Sequence, residues 1–428
     1  MTPSEEMIIA LSVFAFTYAL IITEKVHRTV AALFGASLVL FAGVVPWEKV
    51  PEYLDLGTLL LLVGMMMIVN TARESGLFEF IAIKTAKLAK GSPMRVLLLF
   101  SVVTAVVSSV LDNVTTVLLL TPMLLYIARL MEVNPVPYLL AEIFSSNIGG
   151  TATLIGDPPN IMIGSAAGLS FNEFLVNMGP IAAVDLILTV GVIYLAYRNV
   201  MRISPEGRER IRSTIENLRE EEAVRDYSLF RKSLTVIIAV VLLFFVHDRL
   251  GLHPAVVALT GASVLLIWSR MEPTEVLEKV EWTAIFFFMG LFIIVGSLVQ
   301  TGVIKDVASW LLTYLHTTGE AVVVITWFSA VASSIVDNIP LTATMIPLIK
   351  SMGVSLNVYP LWWALSLGAC LGGNGTAIGA SANVVVLGIA ARERVKITFM
   401  DFLKIGLVIM LLTVGVGTLI IWVKYVGV

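Results

Sequence analysis

The 428-residue sequence predicts an all-α polytopic membrane protein: two inverted repeats of five crossings, ten transmembrane helices in all, plus two re-entrant helical hairpins and two broken helices. Composition is the first observation behind this reading. Hydrophobic residues make up 58% of the chain and charged residues 14%, and the mean hydropathy is +0.93, which excludes an ordinary soluble domain. The second is a phrase written twice inside apolar stretches: Ser108-Ser109-Val110-Leu111-Asp112-Asn113 and Ser333-Ser334-Ile335-Val336-Asp337-Asn338, each with a proline ten residues after the aspartate, Pro122 and Pro347. The third is that this duplication runs through nearly the whole chain.

Apolar runs long enough to span fall near 7–23, 29–45, 57–73, 179–197, 233–247, 254–269, 282–299 and 405–423. The first lacks a basic leader and a small-residue cleavage pattern, so it is expected to be a retained helix. Residues 94–131 are about twice a span in length and are interrupted at Asp112-Asn113, as expected of a hairpin that enters the bilayer and returns on the same side. Residues 137–168 form a span broken by Gly149-Gly150-Thr151-Ala152-Thr153-Leu154-Ile155-Gly156-Asp157-Pro158-Pro159-Asn160, whose glycines and prolines cannot all continue one helix. The second half repeats both features at 322–350 and 361–390. Residues 77–90, with Lys84, Lys87 and Lys90 on one side, are expected to lie as a helix in the membrane interface.

His27–Leu40 matches His253–Leu266 at 8 of 14 positions with an offset of 226, and Gly64 and Gly76 fall on Gly290 and Gly302 at that offset. Gly149–Asn160 matches Gly372–Asn383 at 6 of 12 positions with an offset of 223. Five crossings per half is an odd number, so the halves 1–197 and 233–428 are expected to be inverted relative to each other. With both termini outside, 23 of the 28 lysines and arginines fall inside, which places the charged connector 198–232 in the cytoplasm and suits the inner membrane of a prokaryote. Within the connector, Ser204-Pro205 opens a helix whose narrow stripe of Ile211, Ile215 and Leu218 reads as part of a solvated tether.

The hairpin tips and helix breaks leave backbone amides and carbonyls free beside short polar side chains. The first half offers Asp112, Asn113, Thr115, Asn147, Thr151, Thr153, Asp157 and Asn160; the second offers Asp337, Asn338, Thr342, Asn374, Thr376, Ser381 and Asn383. Hard oxygen donors of this kind suit Na+ at Asp112/Asn113 and Asp337/Asn338, or a proton, and no transition metal. Capping alone would explain an Asp-Asn at a turn. A cap in hydrocarbon needs no charge, however, and a carboxylate there costs roughly 3 kcal/mol, so two mirrored acids point to an ion path. Glu142 and Asp185 fall opposite Leu365 and Val408 in the second half and are expected to serve a proton relay. No lysine or arginine stands beside Asp112, Asp157 or Asp337 in these segments, so each acid is expected to hold a cation or a proton.

A single cysteine, Cys370, and four scattered histidines leave no thiolate or imidazole cluster, and no cofactor is expected beyond Na+ or H+ as coupling ion. The residues before Asp157 lack the first glycine of an intramembrane aspartyl protease motif, so an enzyme is not expected. The net charge of −3 says little about partners; those expected are a small ion or solute and the lipid bilayer, with no nucleic acid.

The segments Leu111-Asp112-Asn113-Val114-Thr115-Thr116, Asn147 to Asn160, Asp337-Asn338-Ile339-Pro340-Leu341-Thr342 and Gly368 to Asn383 resemble those of the arsenite permeases, NhaD-type sodium/proton antiporters and P protein, a family of the ion transporter superfamily that also holds citrate and dicarboxylate carriers. The resemblance covers almost everything outside the connector. It implies a scaffold domain, a transport domain that carries the hairpins and broken helices, elevator-like alternating access and, by analogy, a homodimer. It also implies a sodium/proton antiporter first, with arsenite or antimonite efflux or carriage of an organic anion as alternatives; a channel is a less expected class, since an inverted repeat with paired re-entrant tips suits alternating access. Aspartate stands at both tips where the dicarboxylate carriers have serine, which disfavours a dianionic substrate.

Overall fold

A computed structural model describes residues 2–23, 25–201 and 204–427, except for the side chains of residues 205, 206, 208 and 210. Among the described residues all regular structure is helical. The first half contains α1 (Pro3–Thr23), α2 (Arg28–Phe41), α3 (Val50–Tyr53), α4 (Leu56–Glu74), α5 (Leu77–Leu88), α6 (Pro93–Ser108), α7 (Asn113–Leu130), α8 (Val136–Thr151), α9 (Pro158–Ala167) and α10 (Phe171–Tyr197). After α11 (Pro205–Glu216) in the connector, the same order returns as α12 (Tyr227–Val246), α13 (Pro254–Ser269), α14 (Pro273–Glu278), α15 (Trp282–Gln300), α16 (Val303–Leu312), α17 (Thr318–Ser333), α18 (Asn338–Met352), α19 (Tyr359–Gly372), α20 (Ser381–Arg392) and α21 (Phe399–Tyr425). Each helix of the first half thus has its counterpart eleven helices later.

Local chemistry repeats with the order. His27 and His253 cap α2 and α13 by accepting the N–H of Thr29 and Ala255. Capping boxes Ser170/Glu173 and Thr398/Asp401 open α10 and α21, both 27 residues long. Gly76 and Gly302 both have φ +83° at the corner before α5 and α16, a conformation that a β-carbon disfavours. The run expected over 29–45 stops at Phe41, where Gly43 turns the chain and Pro46 prevents continuation. The short helices α3 and α14 were not expected from periodicity, because four to six residues carry too little pattern.

Among the described residues seven helices, α1, α4, α7, α10, α12, α15 and α21, are long and apolar enough to cross a membrane, and α2, α6, α13, α17 and α20 are shorter apolar helices. Large apolar side chains lie bare on the outside, with Ile187 73% and Ile267 79% exposed, as expected of a surface solvated by lipid.

The helices pack in two groups. In the first, α2 lies against α15 and α4 against α13, with α1 and α12 outside them. Glycine permits both contacts: a β-carbon on Gly290 would come within 2.7 Å of the Ala32 backbone, and one on Gly64 within 2.8 Å of the Ala258 backbone. In the second group α6 packs on α8, α17 on α19, and α10 on α21. Across the halves, α7 packs on α20 and α18 on α9. The connector helix is docked and does not hang as a solvated tether: Ile211 and Ile215 are buried where α11 meets α5 and α7. Arg225 pairs with Glu79 at 2.9 Å and Lys87 with Glu220. An apolar stripe with a facing partner is worth more buried than wet, and the facing partner was invisible in the local sequence.

Candidate functional site

Two four-residue turns and two unwound segments meet between the second group of helices and the first. The turn 109–112 joins α6 to α7, and 334–337 joins α17 to α18. Asp112 accepts the N–H of Thr115 at 2.8 Å and Asp337 that of Ile339 at 3.2 Å, so each carboxylate caps the helix after it. Ser108 Oγ donates to Ser146 O and Ser333 Oγ to Ala369 O, both at 2.6 Å, which pins each turn to its neighbouring broken helix. Thr153 and Thr376 do the same through the Ser109 and Ser334 carbonyls.

The unwound segments are 152–157 and 373–380. Carbonyls at and just before each break find a partner in one asparagine. Asn160 Nδ2 lies 3.1, 3.2 and 2.9 Å from the carbonyls of Gly150, Thr151 and Thr153, and Asn383 Nδ2 lies 2.7 and 2.9 Å from those of Gly373 and Thr376. Ser366 Oγ donates to Asn160 Oδ1 at 2.6 Å. Buried carbonyls without partners would cost roughly 1–3 kcal/mol each. Asn160→Ala is therefore expected to lower stability by about 2 kcal/mol or more, read as a fall in melting temperature in detergent.

These contacts sort the residues singled out in the sequence. Thr153, Thr376, Asn160 and Asn383 hold the unwound chain in shape. Thr151 and Thr342 donate to the carbonyls of Asn147 and Asn338, one turn back on their own helices, both at 2.8 Å. Thr115 is half-buried and contributes its backbone N–H to Asp112. Asn147 is the crossing point of the two halves: it accepts from Asn113 at 3.1 Å and donates to Asn374 at 2.8 Å and Asn383 at 3.1 Å. The Asn374 side-chain nitrogen has no partner among the described residues.

The charged groups converge on a cavity of ≈ 40 Å³ lined by Arg28, Asp112, Asn113, Asp157, Glu281, Asn338 and Ser381. Asp157 is 1% exposed, and Asn338 Nδ2 reaches both its oxygens at 3.3 and 3.2 Å. Asp337 stands at the rim. Contrary to the expectation that no cation faces these acids, Arg28 Nη1 lies 2.8 Å from Asp337 Oδ2 and donates to Ser381 Oγ at 2.8 Å. Ser381 in turn donates to Asp337 at 2.6 Å. Arg28 and Asp337 are 309 positions apart, which is why local sequence could not pair them. Arg28, Asp337 and Ser381 also line a wider vestibule of ≈ 450 Å³, with Thr23, Val26 and His27 at its wall.

Glu281 was missed. It stands at the N-cap of α15, 226 positions after Asp55 at the N-cap of α4, so the repeat offset would have found it. Glu142 and Asp185 lie away from this cavity. Glu142 is buried and does not reach for the surface: Thr121 Oγ donates to it at 3.1 Å, and its other oxygen has no partner among the described residues. Asp185 is buried, and neither of its oxygens has a partner among the described residues. Among the described residues no group of histidine, cysteine, aspartate or glutamate could hold a resident metal ion.

The comparisons with known proteins agree on the class of molecule. A family model described as a citrate transporter matches residues 18–368. The 46 kDa membrane protein of Mycobacterium leprae is 41% identical over 427 residues, covering 98% of this chain and 99% of the relative. The mouse P protein is 34% identical over 491 residues, covering 95% of this chain and 59% of the relative. Among solved structures, the YdaH transporter of Alcanivorax borkumensis has a TM-score of 0.60 at 15% identity with 99% of both chains covered. MtrF of Neisseria gonorrhoeae, described with a class of antimetabolite efflux pumps, has a TM-score of 0.56 at 11% identity, covering 91% of this chain and 84% of its own. At such identity these two speak for the fold alone. An integral membrane protein with this arrangement and these relatives belongs to the citrate transporter family of the ion transporter superfamily.

Proposed function

We propose that this transporter exchanges a monovalent cation, Na+ first, for protons by an elevator-like movement of the helices that carry the site. In this reading α6–α10 and α17–α21 form the transport domain, α1, α2, α4, α12, α13 and α15 form the scaffold, and each half crosses the membrane five times in opposite sense. Both termini lie outside and the connector inside. One observation carries the proposal: the cavity of ≈ 40 Å³ gathers Asp112, Asp157 and Glu281, with Asp337 at its rim, against a single arginine. Several carboxylates that share one cation attract another cation or bind protons, and one replaces the other when the site changes sides. The space suits an ion with a water or two and is far below the roughly 300 Å³ of ordinary small-molecule sites. Glu142 and Asp185, each with a carboxylate oxygen left unpartnered inside the same helices, would carry protons beyond the cavity.

A second reading, carriage of an organic carboxylate, draws on the vestibule of ≈ 450 Å³ with Arg28 and Ser381 on its wall and on the name of the family. Everted membrane vesicles with a pH-sensitive dye separate the two. Addition of NaCl is expected to dissipate a respiration-driven pH gradient, whereas choline chloride and citrate leave it intact. Citrate or arsenite flux without a sodium response overturns cation exchange.

A further inference from the structure

The proposed exchange leaves one contact unexplained: the ion pair that joins α2, in the frame, to the turn before α18 and the start of α20, in the moving group. Arg28 is the first residue of α2, and α2 is held at its middle by the backbone approach of Gly290 to Ala32. Its guanidinium lies over the Phe287 ring of α15 at 5.3 Å to the centroid, so the arginine is anchored on frame side chains and backbone. Asp337 and Ser381 belong to the helices that carry the site. The Arg28 side chain is 35% exposed and that of Asp337 15%, and both open on the vestibule, so an ion from the solution can reach the pair. On its other side Arg28 borders the small cavity together with Glu281, a second carboxylate that stands on the frame itself.

We propose that Arg28 is a tethered, displaceable cation: while the site is empty it occupies Asp337 and Ser381 and fastens the moving helices to the frame, and a monovalent cation that takes Asp337 sends it to Glu281 and frees those helices. The inference rests on the cation-exchange reading and deepens it, since it names the positioning residue that ties movement to occupancy. A carrier that moves empty as readily as loaded dissipates gradients, and differential interaction of the two states with the ion is what prevents this. A pair made between frame and moving group, and broken by the cargo's own charge, supplies that difference. The cost is apparent affinity, because only the fraction of molecules with Asp337 vacated can bind. Lysine would preserve the charge but not the flat guanidinium that lies on the Phe287 ring while one of its nitrogens, Nη1, meets both Asp337 and Ser381.

The test is Na+ binding by the purified full-length protein in detergent, read as stabilisation against heating over a NaCl titration at fixed pH, with choline chloride holding ionic strength constant. Arg28→Gln is expected to lower the half-saturating Na+ concentration roughly fivefold or more. Glu281→Gln, which removes the alternative seat, is expected to raise it, and the double variant is expected to follow Arg28→Gln. Arg28→Lys should lie between wild type and Arg28→Gln. A purely structural ion pair would instead lower the melting temperature of Arg28→Gln and leave half-saturation unchanged, which overturns the proposal. If Arg28→Gln does not fold, Glu281→Gln alone decides: no upward shift overturns it. Absence of any Na+ stabilisation in the wild type counts against cation exchange itself, a different failure from a normal wild-type response that Arg28→Gln does not alter.

Discussion

Asp112→Asn and Asp337→Asn are each expected to reduce sodium-evoked proton movement at least about tenfold while leaving the protein folded. Asparagine caps a helix as well as aspartate does, so the N–H of Thr115 and that of Ile339 keep their acceptors. What is removed is the charge and one acceptor oxygen, which at Asp337 is the oxygen that accepts from Arg28 and Ser381. A hydrogen bond or contact to a charged group contributes about 1.5–3 kcal/mol, and each 1.4 kcal/mol is a factor of about ten. The two variants should differ in a second respect. Asp337→Asn also deprives Arg28 of its partner at 2.8 Å, whereas among the described residues no basic group lies within ion-pairing distance of Asp112. Dye-quenching rates in everted vesicles, normalised to folded protein by size-exclusion chromatography, measure the effect. Wild-type rates in both variants would reduce the two acids to caps.

Gly149→Ala and Gly372→Ala should each produce a large loss of stability. The added carbon would stand 2.2 Å from the Ala105 carbonyl oxygen in one case and 2.4 Å from that of Ala330 in the other. Both neighbours are helix backbone, which cannot rotate away as a side chain can. Forcing extra carbon into a packed interior costs about 1–3 kcal/mol where neighbours yield and more where they do not. Separation of α6 from α8, or of α17 from α19, would also pull the Ser108 and Ser333 hydroxyls from their carbonyls at 2.6 Å. Gly191→Ala and Gly388→Ala serve as controls, because nothing lies within 4 Å of a β-carbon at either place. Melting temperatures of the four variants in one detergent check the contrast.

Much of the architecture is readable from residues alone because it is written twice. The offset of 226 that aligns His27 with His253 and Gly64 with Gly290 aligns histidine caps and glycine contacts in space. The turns at Asp112 and Asp337 were legible because Asp-Asn interrupts a long apolar run, and the unwound segments because glycines, joined by Pro158-Pro159 in the first half, interrupt theirs. Contacts between halves were not. Asn338 reaches Asp157 across 181 positions and Asn147 reaches Asn374 across 227, and no periodicity encodes which turn faces which unwound segment. The same limit hid the partner of Asp337. The roles of Thr153, Thr376, Asn160 and Asn383 were equally hidden, since a polar side chain that binds an ion and one that steadies an unwound backbone look identical in sequence. Docking of α11 escaped for a simpler reason: a stripe of two isoleucines and a leucine is too narrow to announce a partner.

The caps at the two turns carry a consequence for how long cargo stays. Each carboxylate is already engaged by the amide end of α7 or α18, where the aligned peptide dipoles place a fractional positive charge. An incoming cation must share the oxygen with that charge, at a penalty of roughly 0.3–1 kcal/mol per site. The arrangement thus makes for loose retention and brief residence, which favours turnover over storage: a seat that holds its passenger weakly gives it up quickly on the far side.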